Sequence, residues 1–100
     1  MRRLSVSAVR VLQAITSGFE YGFDIIDHTG LPSGTVYPAL SRLERDGYVR
    51  SAWEDERRAH EEGRPARRYY RITAPGARAL DDAVTYLRTL IPLGRPQERS

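Results

Sequence analysis

One hundred residues with 40% hydrophobic content suffice for one domain with a single modest core. The absence of cysteine excludes a disulfide scaffold, a thiolate metal site and a cysteine nucleophile, and no run approaches the ~20 apolar residues that span a bilayer. All 16 basic residues are arginine and the net charge is +3, too small by itself to argue for a nucleic-acid partner.

Met1-Arg2-Arg3-Leu4 runs into polar residues instead of an apolar stretch, so no signal peptide is expected and the cytoplasm is the expected compartment. The missing lysines read chiefly as the codon usage of a GC-rich genome. A domain of this size leaves much surface exposed, so burial through self-association is expected to help it.

Taken in chain order, Ser5 to about Thr16 carries Val6, Val9, Leu12 and Ile15 at helical spacing, with Ser5 placed to cap. Tyr21 to Thr29 predicts a short second helix stopped by Gly30. A third helix is expected from Ser33, as cap, to Asp46, with Val36, Leu40 and Leu43 on its buried stripe. Pro38 lies past its first turn and predicts a kinked or tightened start, because proline lacks the N–H that would bond the residue 34 carbonyl. Tyr48 to Glu54 and Arg67 to Ile72 read as strands, joined by a polar stretch, Asp55 to Ala66, expected to be a long flexible hairpin loop. A last helix begins near Thr73. Ala77, Leu80, Val84, Leu87 and Ile91 recur along it at heptad spacing, and Pro92 is expected to end it.

This order predicts a mainly α fold with a small β-hairpin (α+β). It divides into a winged helix-turn-helix over residues 1–73, a C-terminal dimerisation helix over 74–91 and a frayed tail over 92–100. In such an arrangement the third helix enters the DNA major groove and the hairpin loop lies over the backbone.

Tyr21-Gly22, Ser33-Gly34-Thr35-Val36-Tyr37-Pro38-Ala39-Leu40, Arg42-Leu43-Glu44 and Gly47-Tyr48-Val49 resemble the PadR family of bacterial transcriptional regulators. So does Gly63-Arg64-Pro65-Ala66-Arg67-Arg68-Tyr69-Tyr70-Arg71-Ile72-Thr73 followed by Gly76, and the likeness spans roughly residues 5–91. The resemblance implies a homodimeric, DNA-binding repressor of the short subtype that releases an inverted-repeat operator on an effector or another signal. It also implies that Pro38 is tolerated in the recognition helix and that the final helix carries dimer contacts. Some members hold flat ligands with aromatic residues at the dimer interface, and this chain has no tryptophan in that helix.

The candidate DNA-binding residues follow from this geometry. Ser33, Gly34, Thr35, Tyr37 and Arg42 occupy the start and outer face of the third helix, where hydroxyls and amides meet phosphates and side chains meet base edges. Tyr21 and Gly22 open the second helix, where free amides suit a phosphate. From 57 to 71 the hairpin carries six arginines against two glutamates, a cluster of the kind phosphate neutralisation needs. Arg64, between Gly63 and Pro65, is the first candidate there. Strand alternation sets Arg67 outward and Tyr70 toward the core with Ile72. Each has a plainer reading: capping for Ser33, packing for Tyr21 and Tyr37, an ion pair with Asp46 for Arg42, a solvated charge run for the hairpin. Leu80, Val84, Leu87 and Ile91 are the dimerisation candidates, since a helix beyond a complete winged core has little of its own chain left to cover.

An enzyme is not expected. His60-Glu61-Glu62 lacks a helical metal-ligand spacing, His28 with Asp24 and Asp27 reads as a helix surface, and no glycine-rich phosphate loop or serine–base pair is present. No cofactor and no metal are expected. The expected partners are double-stranded DNA, a second copy and a small aromatic effector, with no membrane. Two other readings stay open: a winged-helix protein-interaction module without DNA binding, and a ligand-sensing dimer whose pocket uses Trp53 or Tyr86.

Overall fold

The computed structural model describes residues 3–91. Pro92 and the tail expected over 92–100 lie outside the described residues. In chain order the elements are α1 (Val6–Thr16), α2 (Gly22–Thr29), α3 (Ser33–Arg45), β1 (Val49–Trp53), α4 (Glu56–Glu61), β2 (Arg68–Ile72) and α5 (Ala74–Thr89). The expected mainly α fold with one antiparallel hairpin is the fold observed.

α1 is the centre of the molecule. The Ser5 hydroxyl accepts from the Ala8 amide at 3.1 Å and starts the helix. Ala8, Val9, Val11, Leu12, Ala14 and Ile15 are all buried, because α1 packs against α2, α3, α5 and β2 together. The innermost side chains are Leu12, Ile25, Leu40, Leu43, Val11 and Val36. Each large aliphatic group buried there contributes about 1.5–3 kcal/mol from apolar surface alone.

α2 ends where Gly30 turns left-handed at φ 73°, and its amide bonds the Ile26 carbonyl at 2.8 Å. α3 starts one step differently from expectation. Pro32 holds the cap position and Ser33 is already helical, so the Ser33 side chain does not cap. The Pro32 carbonyl instead accepts from both Thr35 (2.9 Å) and Val36 (3.0 Å), a tightened first turn. α3 then runs through Pro38 unbroken. The carbonyl deprived of its helical donor belongs to Gly34, which is exposed to solvent.

The hairpin pairs Val49 with Ile72 through to Trp53 with Arg68. Glu20 and Tyr21 add a short third rung: Tyr21 bridges Tyr69, and the Tyr70 amide donates to the Glu20 carbonyl at 2.9 Å. This rung fixes the start of α2 beside the wing.

The stretch expected as a flexible loop, 55–66, is partly helical. Asp55 caps α4 by accepting from the Arg57 amide at 2.9 Å, and Ala59 is buried beneath it. The chain then turns at Gly63, with φ 71°, and the Arg64 amide returns to the Ala59 carbonyl at 3.1 Å.

α5 is pinned to the hairpin at its start. Thr73 caps it by accepting from the Gly76 amide (3.0 Å), and its hydroxyl donates to the Gly47 carbonyl (2.7 Å). Gly76 rests on the Tyr48 carbonyl so closely that no Cβ fits between them. The expected dimer seam is divided by this packing. Leu80 is only 9% exposed and belongs to the chain's own core. The reason is that α5 lies against α1, so the winged core was not complete without it. Val84 and Leu87 pack partly on that core, and Leu90 and Ile91 are exposed.

Candidate nucleic-acid interface

The amphipathic pattern of α3 decides what it offers outward. Val36, Ala39, Leu40 and Leu43 face the core, while Ser33, Gly34, Tyr37, Pro38, Ser41, Arg42 and Arg45 are exposed; Thr35 is half-buried. Arg42 and Asp46 form no ion pair among the described residues.

Tyr37 does more than stand on that face. Its ring lies on Gly22 at the start of α2, and a Cβ there would sit 2.5 Å from Cε1 and 2.8 Å from the hydroxyl oxygen. Glycine at 22 is therefore what lets Tyr37 of α3 close onto α2. Tyr37 remains 46% exposed, so it packs on α2 without being buried.

The preceding residue continues the surface. Tyr21 holds the N-cap position of α2. Its ring meets Tyr69 edge-on at 6.4 Å and carries the Arg67 guanidinium 3.9 Å above it. Its hydroxyl donates to Glu54 Oε2 at 3.1 Å. Burial first, and then the Glu54 carboxylate, push the Tyr21 phenol above its usual pKa, so it stays a neutral donor.

Glu54 is the residue around which the wing closes. Its carboxylate accepts from Arg64 Nη1 (2.5 Å) and Nη2 (2.9 Å), from the Arg67 backbone amide (2.9 Å), from Arg67 Nη2 (3.3 Å) and from Tyr21. The side chain is 11% exposed. The Arg64 hydrogen bonds, opposed by burial and helped by those from Arg67 and Tyr21, hold the carboxyl well below the usual carboxylate range. The same pairing raises Arg64 further above its ordinary value, with a smaller contribution from Glu62, 2.9 Å from Nη2.

A second bridge ties the hairpin to α3. Ser51 donates to Glu44 Oε2 at 2.6 Å and accepts from Arg68 Nε (3.0 Å) and Nη2 (2.8 Å). Arg68 also reaches Glu44 at 3.4 Å.

The structure thus brings Tyr37, Gly22, Tyr21, Arg67 and, through Glu54, Arg64 into one continuous strip from α3 to the hairpin. Arg64 is 25% exposed and engaged by two carboxylates; Arg67 points outward. Tyr70 lies in the core, where burial raises its phenol, and Trp53 stands exposed at the end of β1. Sequence reading missed Glu54, Glu44 and Ser51. The one available signal for Glu54 was an acidic residue at a strand end across from an arginine-rich strand. His28 stacks on Phe19 at 4.1 Å. Among the described residues no cluster could hold a metal ion and no helix is long and apolar enough to cross a membrane.

The family described as the transcriptional regulator PadR-like family matches residues 11–82. Among solved structures, the chain is similar to a PadR family transcription regulator from hypervirulent Clostridium difficile R20291 (22% identity, TM-score 0.74, covering 86% of this chain and 91% of that one). It is similar to a transcriptional regulator from Clostridium thermocellum (25% identity, TM-score 0.69, 84% and 82% covered). It is also similar in fold to Bordetella bronchiseptica BpsR, described as regulated in DNA binding by 6-hydroxynicotinic acid (17% identity, TM-score 0.69, 88% and 62% covered). No curated protein matches the sequence. The family and the two Clostridium structures are transcription regulators, not enzymes.

Proposed function

Because the chain belongs to the PadR-like family of transcriptional regulators, we propose that it is a cytoplasmic homodimeric repressor that reads an inverted-repeat operator and is released from it by a small-molecule effector. α3 lies in the major groove, with Ser33, Gly34, Thr35, Tyr37 and Arg42 toward the duplex. Tyr21 and Gly22 meet the adjoining backbone, and Arg64 and Arg67 carry the wing onto phosphates. Residues 1–73 are the DNA-binding unit. α5 is the dimer helix, presenting Val84 and Leu87, with Ile91 just beyond its end.

The observation that carries this reading is the strip from Tyr37 through Gly22 and Tyr21 to Arg67. It holds recognition helix and wing in fixed relation before any duplex arrives, so little ordering cost remains at binding. Carboxylates do not cancel the wing for phosphate: a guanidinium has five N–H donors, and Arg57 and Arg58 on α4 are exposed with no ion-pair partner among the described residues.

Footprinting on the DNA upstream of its own gene, at stated salt, tests the reading. The expected result is a twofold-symmetric protected region with half-sites about one turn, ~34 Å, apart. No protection at any salt would leave the fold as a protein-interaction module.

A further inference from the structure

We propose that Trp53 and Arg68, on the side of the hairpin turned toward α3, grip one nucleotide of the DNA backbone: the indole lies on a deoxyribose and Arg68 donates to the adjoining phosphate. The inference rests on the DNA reading above and adds a contact on the face of the hairpin opposite to Arg67.

The strand register fixes the placement. Side chains alternate along a strand, so Val49, Ser51 and Trp53 share one face with their partners Ile72, Tyr70 and Arg68. Val49 and Tyr70 are buried in the core. At the middle pair, the Ser51 hydroxyl donates to Glu44 of α3 at 2.6 Å. This face therefore looks toward α3, and Trp53 with Arg68 is its last pair before the tip.

Trp53 is the chain's only tryptophan and is 65% exposed. A side chain of this size is mostly covered in folded proteins, so leaving it bare forgoes the burial of a large apolar surface. Its neighbour on this face is the Arg68 guanidinium, 5.8 Å from the ring centroid, within the range of a cation–π contact. Arg68 is held there. Its Nε and Nη2 donate to Ser51 at 3.0 and 2.8 Å, and Nη2 also reaches Glu44 at 3.4 Å. These bonds leave Nη1 without a hydrogen bond among the described residues.

An apolar ring beside a fixed cation matches the chemistry of a single backbone unit, where a sugar with C–H faces adjoins an anionic phosphate. Stacking on a base would need an unpaired base, which an intact duplex does not offer. With α3 in the major groove and the hairpin over the backbone, the DNA strand that passes between them meets this face. Ser51 and Glu44 are positioning residues, acting through Arg68.

The test is one titration with two signals, using the full chain and a duplex from upstream of its own gene. Anisotropy of the labelled duplex reports binding. With the same duplex unlabelled, Trp53 emission and its quenching by acrylamide report that single site. Emission is expected to move to shorter wavelength and quenching to fall at the binding midpoint. Trp53→Ala is expected to weaken binding by about tenfold with thermal unfolding unchanged, and Trp53→Phe, which keeps an apolar ring, to regain most of it. Arg68→Ala is expected to lower the salt slope by about one. Ser51→Ala is expected to weaken binding and Ser51→Thr, which keeps the hydroxyl, to restore it. Binding with unchanged Trp53 emission and quenching, or Trp53→Ala binding as tightly as the unaltered chain, overturns the proposal and leaves the DNA reading standing. An unchanged slope in Arg68→Ala overturns the phosphate contact. No binding of the duplex at any salt overturns the DNA reading and this contact with it.

Discussion

Glu54 and Arg64, ten residues apart on the two sides of the wing tip, close on each other through two hydrogen bonds of 2.5 and 2.9 Å. The turn between them is the only covalent link across the tip, so this pair and its neighbours decide whether α4 and the arginines behind it hold one arrangement.

Replacing the carboxylate tests this directly. Glu54→Gln keeps the shape but loses the charge that collects Arg64, Arg67 and Tyr21. Amide exchange in 54–67 is expected to accelerate while exchange in α1 stays unchanged. The pH dependence has a definite sign. The folded-state carboxyl sits below its ordinary value of 4.5, so the folded chain binds fewer protons than the unfolded one in acid. The stability this confers is complete above that ordinary value and is lost progressively as pH falls below it. Thermal unfolding between pH 3 and 7 is expected to show a shallower acid slope in Glu54→Gln; an identical slope would show that the pair contributes nothing.

Tyr37 and Gly22 make a coupled prediction. Tyr37→Ala removes a half-exposed ring, so the fold is expected to survive while operator affinity drops. Gly22→Ala places a methyl within 2.5–2.9 Å of that ring and is expected to displace it, destabilising by about 1–3 kcal/mol, as overpacking does. The double variant Gly22→Ala with Tyr37→Ala is expected to recover most of the stability and none of the affinity. Chemical denaturation with fluorescence-anisotropy titration checks both, and a double variant as unstable as Gly22→Ala alone would locate the clash elsewhere.

α5 separates into two roles. Leu80→Ala empties a core position and is expected to cost the chain's own fold about 2–5 kcal/mol. Ile91→Asp, at an exposed site, is expected to leave monomer stability unchanged and to shift the dimer toward monomer. Sedimentation at falling concentration reads the second effect and urea unfolding the first. A monomeric Leu80→Ala of normal stability would reverse the assignment.

The fold was legible in the sequence because its helices announce themselves by periodicity and its ends by chemistry. Ser5, Gly30 and Thr73 act as the caps and stops their residue types suggest. α4 was not legible, since five polar residues around a single buried alanine carry no apolar period; only the Asp55 cap marked it. For Leu80 the heptad pattern tells which face is apolar and not what covers it, and in the single chain it is already part of the core. In the candidate site the arginines were visible by composition. Their partners were not, because Glu54 meets Arg64 through the hairpin turn and Glu44 meets Arg68 across 24 residues, a closeness that exists only after folding.

Salt dependence distinguishes arginines that meet phosphate from those that build the wing. Each phosphate neutralised adds about 0.9 to the magnitude of the slope of log affinity against log salt. Arg58 is exposed on α4 without an ion-pair partner among the described residues, so Arg58→Ala is expected to lower the slope by about one and leave wing amide exchange untouched. Arg64 is engaged by Glu54 and Glu62. Arg64→Ala is expected to lower the slope by about one and also to loosen 54–67, because Glu54 is left with fewer donors. A loosened wing with an unchanged slope would make Arg64 a positioning residue, and the phosphate contact would then pass to the exposed arginines of α4.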